Sequence, residues 1–261
     1  MTLAVIGGSG LQDIPGLRRK EEVHVTTPFG EPSAPYTICS LGDRDNVFLS
    51  RHGREHTIPP HRINYRANLW GLKSLGVERI ISVSAVGSMN SSFRPGAIVL
   101  LDQVIDYTGG SRPSTFHDEG TVIHIDLTDP FCGEMRGAIL EAGRRCGVPV
   151  HTPGTYICVN GPRLETAAEI RFFTQIGADV VGMTAMPEAA LARESEICMS
   201  LLAVVTNAAA GISERKLTTT EVVETMGRSL DVVRTLLVES AGLIPPVRTC
   251  PCRHALTDAG M

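Results

Sequence analysis

An apolar run, Leu3-Ala4-Val5-Ile6, leads directly into Gly7-Gly8-Ser9-Gly10. Glycines let backbone N–H groups approach an anion closely, and Ser9 adds a hydroxyl donor. Further on, Ser50-Arg51-His52-Gly53-Arg54-Glu55-His56 gathers guanidinium and imidazole groups within one short segment. A guanidinium is a planar fork suited to phosphate oxygens, and neighbouring imidazoles can donate to the same anion. Taken alone, this segment reads equally well as a solvated charged loop. Other polar residues come just after apolar strands: Ser84-Ala85, Thr184 and Thr206-Asn207. In open α/β sheets ligands bind at the carboxyl ends of strands. The hydroxyls of Ser9, Ser84 and Thr184 together with Arg51 therefore form a candidate phosphate cage that requires no metal. No His, Asp, Glu or Cys cluster has a recognised ligand spacing, so neither a metal nor a cofactor is expected.

Two common phosphate-binding signatures are missing. A dinucleotide fingerprint needs a third glycine where Asp13 stands, which disfavours a nicotinamide-dependent oxidoreductase. No Gly-Lys-Ser or Gly-Lys-Thr occurs, which excludes a P-loop.

The elements that must position these residues alternate between strand and helix. Strands are expected at Leu3–Ile6, Ile80–Val83, Ile98–Leu101, Tyr156–Val159, Val180–Met183 and Leu201–Val205, with a hairpin over residues 34 to 50 turning at Gly42-Asp43. Helices are expected at Asn64–Leu75, Glu134–Cys146, Thr166–Gln175 and Glu188–Glu194, the first three closed by Gly76, Gly147 and Gly177. A last long helix starts at Thr218 with Glu221 three residues on, a capping-box spacing, and carries Val222, Met226, Leu230, Val233 and Leu237 on one stripe. The pattern predicts one α/β domain over residues 1–243, with a mixed, mainly parallel central sheet flanked by helices. Residues 244–261 read as a flexible C-terminal tail. Its Cys250-Pro251-Cys252 is a local redox pair, half of a metal site, or neither. The other five of the seven cysteines sit among apolar neighbours and read as small core residues. The polar stretch Gly109–Gly120 is a lid or a surface excursion.

With 261 residues, 43% hydrophobic and 20% charged, the composition is that of an ordinary globular chain. A formal net charge of −4 offers no basic patch for nucleic acid. No stretch reaches the roughly 18 apolar residues of a membrane span, and no basic n-region precedes the first apolar run. A cytoplasmic protein is the expectation.

Val5-Ile6-Gly7-Gly8-Ser9-Gly10, Arg51-His52-Gly53, Asn64-Tyr65-Arg66-Ala67-Asn68, Gly161-Pro162-Arg163, Gly182-Met183-Thr184 with Pro187-Glu188, and Thr206-Asn207 occur in that order. Together they resemble the trimeric purine nucleoside phosphorylase and methylthioadenosine phosphorylase family from about residue 3 to 242. The resemblance implies that Ser9, Arg51, His52, Ser84, Ala85 and Thr184 bind phosphate, that Met183 lies beside the ribose, and that His56 is a further phosphate or sugar contact. It also implies a homotrimer.

Adenine-specific members of that family typically carry an Asp-x-Asp pair where this chain has Asn207, Ala208 and Ala209. Glu165 resembles the glutamate with which 6-oxopurine members accept N1–H; without that context it reads as a first-turn helix residue beside the dipole. An amide at Asn207 can donate to O6 or N7. The resemblance thus implies phosphorolysis of a 6-oxopurine nucleoside. Thr219 and Val223 resemble the positions that face the 5′ group. Inosine, guanosine and methylthioinosine all remain open as substrates.

Overall fold

The structure is a computed structural model that describes residues 2–8, 11, 18–41, 44–213 and 218–260. In chain order the strands are β1 (Thr2–Gly7), β2 (Arg18–Val23), β3 (Tyr36–Leu41), β4 (Arg44–Ser50), β5 (Val77–Ser88), β6 (Ile98–Leu100), β7 (Gln103–Asp106), β8 (Val150–His151), β9 (Thr155–Cys158), β10 (Val180–Gly182) and β11 (Cys198–Ala208). The helices are α1 (Tyr65–Ser74), α2 (Gly133–Cys146), α3 (Ala167–Gln175), α4 (Ala185–Glu194) and α5 (Thr219–Leu243). Among the described residues no helix is long and apolar enough to cross a membrane.

Local chemistry explains the helix ends. The Asn64 side chain accepts from the Ala67 N–H at the start of α1, and Thr166 with Glu169 forms a reciprocal capping box on α3. The Thr218 hydroxyl accepts from the Glu221 N–H on α5. Gly147, at φ 70°, closes α2 in the left-handed conformation that a residue with a Cβ resists.

All eleven strands join one sheet. β5 is its centre: β1 and β11 run parallel to it on opposite edges, and β10 takes over the β1 edge, antiparallel, at Gly87–Ser88. β4 extends the sheet parallel to β1, while β3–β4 is the expected antiparallel hairpin; its Gly42-Asp43 turn lies outside the described residues. Alternate residues serve opposite faces, as the pleat requires. Ala4, Ile6, Leu201 and Ala203 pack with Leu69 and Leu72 of α1 and Leu191 of α4. Leu3, Val5, Leu202 and Val204 pack with Ile139 of α2 and Leu236 of α5. The result is a mixed, mainly parallel sheet between two helical layers.

Two strands run further than the apolar pattern suggested. Ser84 lies inside β5, and Thr206 and Asn207 lie inside β11, because the paired backbone continues through these polar residues. The β5–β11 register slips between Val205 and Asn207, a bulge that re-aims the side chains there. The C-terminal segment, expected to be flexible, is packed: Ile244 and Cys252 are buried, Thr249 donates to Glu134, and Gly260 bridges to Ile123.

Candidate active site

A cavity of about 640 Å³ opens at the carboxyl ends of β1, β4 and β10 and along the later residues of β5 and β11. Its walls include Gly8, Arg51, His52, His56, Ser84, Ala85, Glu165, Met183, Thr184, Asn207, Val222 and Val223. A volume of this size suits a small polar molecule held by a few placed groups. Residues more than a hundred positions apart are thus assembled into one site. Ser9 and the side chain of Thr219 lie outside the described residues. Ala208 and Ala209, expected to touch substrate, do not line the cavity. Ala209 faces away into an apolar cluster with Ile157, Ile170 and Phe173, and Ala208 acts through its carbonyl.

At one end of the cavity, Ser84 Oγ and Thr184 Oγ1 lie 3.2 Å apart. Thr184 stands as N-cap of α4 but makes no side-chain cap bond, so its hydroxyl is not committed to the helix. The backbone here is held from below: a Cβ on Gly182 would fall 2.1 Å from Tyr156 Oη, and that phenol accepts from the Thr184 N–H at 3.1 Å. Only glycine allows β10 to lie this close over the ring.

Arg51 is 2% exposed and tied mainly to the protein. Its Nε and Nη2 grip both carboxylate oxygens of Glu188, itself 1% exposed. Nη2 also reaches Ser82 Oγ at 2.6 Å, and Nη1 the Val83 carbonyl at 2.9 Å. Of five guanidinium hydrogens, these contacts leave one on Nη1. The expected open fork for phosphate is therefore a braced cation that presents its charge and a single N–H.

The histidines differ from the sequence expectation in protonation. His52 Nδ1 faces the Ile58 carbonyl at 2.9 Å, which can only accept, so Nδ1 carries the hydrogen and Nε2 is an acceptor. Burial, reinforced by the Arg51 charge, lowers the His52 pKa to about 4. His56 stacks on it with ring centroids 4.4 Å apart, and burial lowers its pKa too. Neutral His52 thus offers an acceptor nitrogen where the sequence suggested a donor. The unfolded chain protonates His52 near pH 6.5, whereas the folded chain does so only near pH 4. Its contribution to stability is therefore present above the unfolded value and is lost as pH falls through that window. Tm should drop as pH falls from 6.5 to about 4, and His52→Gln should flatten the drop. An identical slope in the variant would assign the effect to other groups.

The other end of the cavity carries Glu165 and Asn207. Burial raises the pKa of the Glu165 carboxyl, the mark of a carboxylate short of water and ready to accept a hydrogen bond. The Asn207 amide has a defined orientation. One contact, at 2.9 Å, is the Ala208 carbonyl, which can only accept, so Nδ2 must face it. Oδ1 then accepts from Thr206 Oγ1 at 2.8 Å, and the second hydrogen of Nδ2 remains for a ligand. Gly87 keeps the approach open, since a Cβ there would stand 3.1 Å from Nδ2.

Three supporting residues were given no role by the sequence: Glu188, which stands in the Pro187-Glu188 motif, as the brace of Arg51, Tyr156 beneath Gly182, and Arg112. Arg112 is 5% exposed, although it sits in the polar Gly109–Gly120 stretch. Its guanidinium donates to the carbonyls of Met183 (2.7 Å), Met186 (2.8 Å) and Asn160 (2.7 Å). It also reaches Tyr65 Oη at 3.1 Å. The stretch is thus anchored behind the site and does not line the cavity. A buried charge inside a loop leaves no periodic pattern to read.

Comparison with known proteins gives a consistent picture. Residues 2–241 match the phosphorylase superfamily. The chain is 53% identical to a "Probable S-methyl-5'-thioinosine phosphorylase" of Thermodesulfovibrio yellowstonii, over 98% of this chain and 96% of that one. It is 51% identical to a "6-oxopurine nucleoside phosphorylase" of Pyrococcus furiosus, over 98% of both. Among solved structures, a methylthioadenosine phosphorylase from an antarctic soil metagenomic library superposes with a TM-score of 0.94 at 36% identity, covering 99% of this chain and 92% of that one.

Proposed function

Because this chain belongs to the phosphorylase superfamily, we propose that it cleaves 6-oxopurine nucleosides with inorganic phosphate, releasing the purine base and a ribose 1-phosphate. One observation carries this reading: a single cavity joins the Arg51, Ser84 and Thr184 cluster to the Glu165 and Asn207 pair. Asn207 offers an N–H where O6 and N7 would accept, and Glu165 offers a carboxylate to N1–H. Adenine would set its C6 amino group where the Asn207 N–H expects an acceptor and would offer Glu165 no N1–H, a mismatch that a buried site rejects strongly.

The reaction follows from charge. A phosphate oxygen forms the new bond to the sugar C1′ while the C1′–N9 bond breaks and its electron pair moves onto the purine. Phosphate on the opposite face stabilises the cationic sugar carbon, and the Asn207 N–H stabilises the anionic purine, which then takes a proton. Donors preorganised toward developing charge are usually the largest catalytic contribution. Holding phosphate next to the reacting carbon adds orientation. No covalent intermediate or cofactor enters. We assign the working form to a homotrimer, as the family resemblance implies, and place it in the cytoplasm; the exposed apolar side chains Tyr107, Phe172 and Ile176 offer a surface for association.

A second reading concerns the sugar. Val222, Val223, Met226 and Leu230 make the α5 wall of the cavity apolar, which favours a 5′-methylthio group over a 5′-hydroxyl. A panel of inosine, guanosine, adenosine and their methylthio counterparts, each with and without phosphate, tests both readings. Phosphate-dependent release of hypoxanthine with little release of adenine is expected. Free ribose formed without phosphate would mark a hydrolase and overturn the proposal, as would NAD-dependent absorbance changes. In the same assay Glu165→Ser should cut 6-oxopurine turnover about 10- to 100-fold, for the loss of one charged hydrogen bond. The phosphate KM should hardly move; an equal loss in both would point to misfolding.

A further inference from the structure

Cys132, Cys198, Cys250 and Cys252 come from α2's N-cap, the start of β11 and the C-terminal segment. Their four sulfur atoms all lie within 4.8 Å of one another. We propose that these cysteines form a structural tetrathiolate zinc site. A tetrahedral zinc with Zn–S bonds of about 2.3 Å sets its sulfurs about 3.8 Å apart. Four mutually close sulfurs around one centre match that arrangement, and the Cys198 and Cys250 sulfurs are 3.3 Å apart.

The surroundings fit a metal held inside the fold. Cys132, Cys198 and Cys252 are buried, with Cys250 half-buried. The ligand-bearing segments are placed by contacts that do not involve sulfur. The Cys132 N–H bonds the Met199 carbonyl at 2.8 Å, fixing α2 beside the start of β11. Thr249 donates to Glu134, and Arg248 reaches Glu78 and the Glu196 carbonyl, fixing the segment that carries Cys250 and Cys252.

Four thiolates around one zinc carry a net double negative charge, which needs nearby cations. Arg79 stands in register with Cys198 on the adjoining strand and is 0% exposed. Its Nη2 pairs with Glu134, while Nε and Nη1 have no hydrogen-bond partner among the described residues. Buried guanidinium nitrogens without partners are costly, and an anionic metal–thiolate centre at the neighbouring strand position would offset that cost. Four protein ligands close the coordination shell, so the site is structural. It is also remote from the chemistry: Cys198 and Asn207 stand nine residues apart on β11, about 30 Å at roughly 3.3 Å per residue.

The test uses the full chain, isolated under reducing conditions and stripped of metal, then titrated with Co(II). Intense thiolate-to-cobalt charge-transfer absorption saturating near one equivalent per chain, and bleached by Zn(II), is the expected result. Metal analysis of protein purified without chelator should give about one zinc per chain. Cys250→Ser and Cys252→Ser should each lose this signal, whereas Cys146→Ser, outside the cluster, should keep it. Stripping the wild-type protein should lower Tm without changing turnover. The proposal is overturned if reduced wild-type chain binds no cobalt or zinc. It is equally overturned if protein alkylated at isolation carries disulfides among these four cysteines.

Discussion

Asn207→Asp should lower inosine turnover by about 10²–10³-fold, the usual cost of removing one donor aimed at developing charge. The Ala208 carbonyl and the Thr206 hydroxyl together orient the amide so that one Nδ2 hydrogen faces the cavity. A carboxylate at the same place donates nothing and repels a purine that is gaining negative charge. The loss should appear in kcat with inosine, with the phosphate KM nearly unchanged, because Ser84, Thr184 and Arg51 are untouched. Adenosine and methylthioadenosine should lose less, since a carboxylate accepts from a 6-amino group, so the 6-oxo to 6-amino ratio should fall. An unchanged ratio would remove Asn207 from base recognition. The single substitution is the informative one. Adding Ala209→Asp would place a carboxylate beside Ile157, Ile170 and Phe173 and confound recognition with folding.

Glu188→Ala should destabilise the fold by about 3–5 kcal/mol, the range for stranding one member of a buried ion pair. Both partners are almost fully buried, and Arg51 would keep only the Val83 carbonyl and Ser82 hydroxyl. Urea or thermal unfolding measures the loss. Saturating phosphate should restore part of it, because an anion that binds only the folded chain beside the orphaned guanidinium stabilises by mass action. Glu188→Gln, which retains an acceptor, should cost less. A Glu188→Ala protein as stable as wild type would show that the pair is not holding Arg51. Full loss of stability with no response to phosphate would place Arg51 away from the anion.

The cluster of Arg51, Ser84 and Thr184 could be picked out because its residues follow apolar runs. Ser84, Thr184 and Arg51 each interrupt or end such a run, and strand ends are where open sheets bind ligands. Ser84 and Asn207 line the cavity although they lie within strands, since β5 and β11 reach it along their length. β2, β7 and β8 left no clear pattern: β2 begins with the charged run Arg18-Arg19-Lys20-Glu21-Glu22, β7 and β8 are short and mostly half-exposed, and the pairing of β7 and β8 depends on neighbours distant in sequence.

By itself, the sequence determined the α/β alternation, the helix caps and the identities of the groups at the two ends of the cavity, because periodicity and side-chain chemistry are local properties. Only the tertiary structure decided how those groups are used. The Ile58 carbonyl sets the hydrogen on His52, Glu188 engages most of Arg51, and the bulge before Asn207 aims its amide. It also turned Cys250 and Cys252 from a tail motif into half of a four-sulfur cluster completed by Cys132 and Cys198. Protonation, orientation and clustering depend on what stands a few ångströms away in space, and those neighbours lie tens to hundreds of residues distant along the chain.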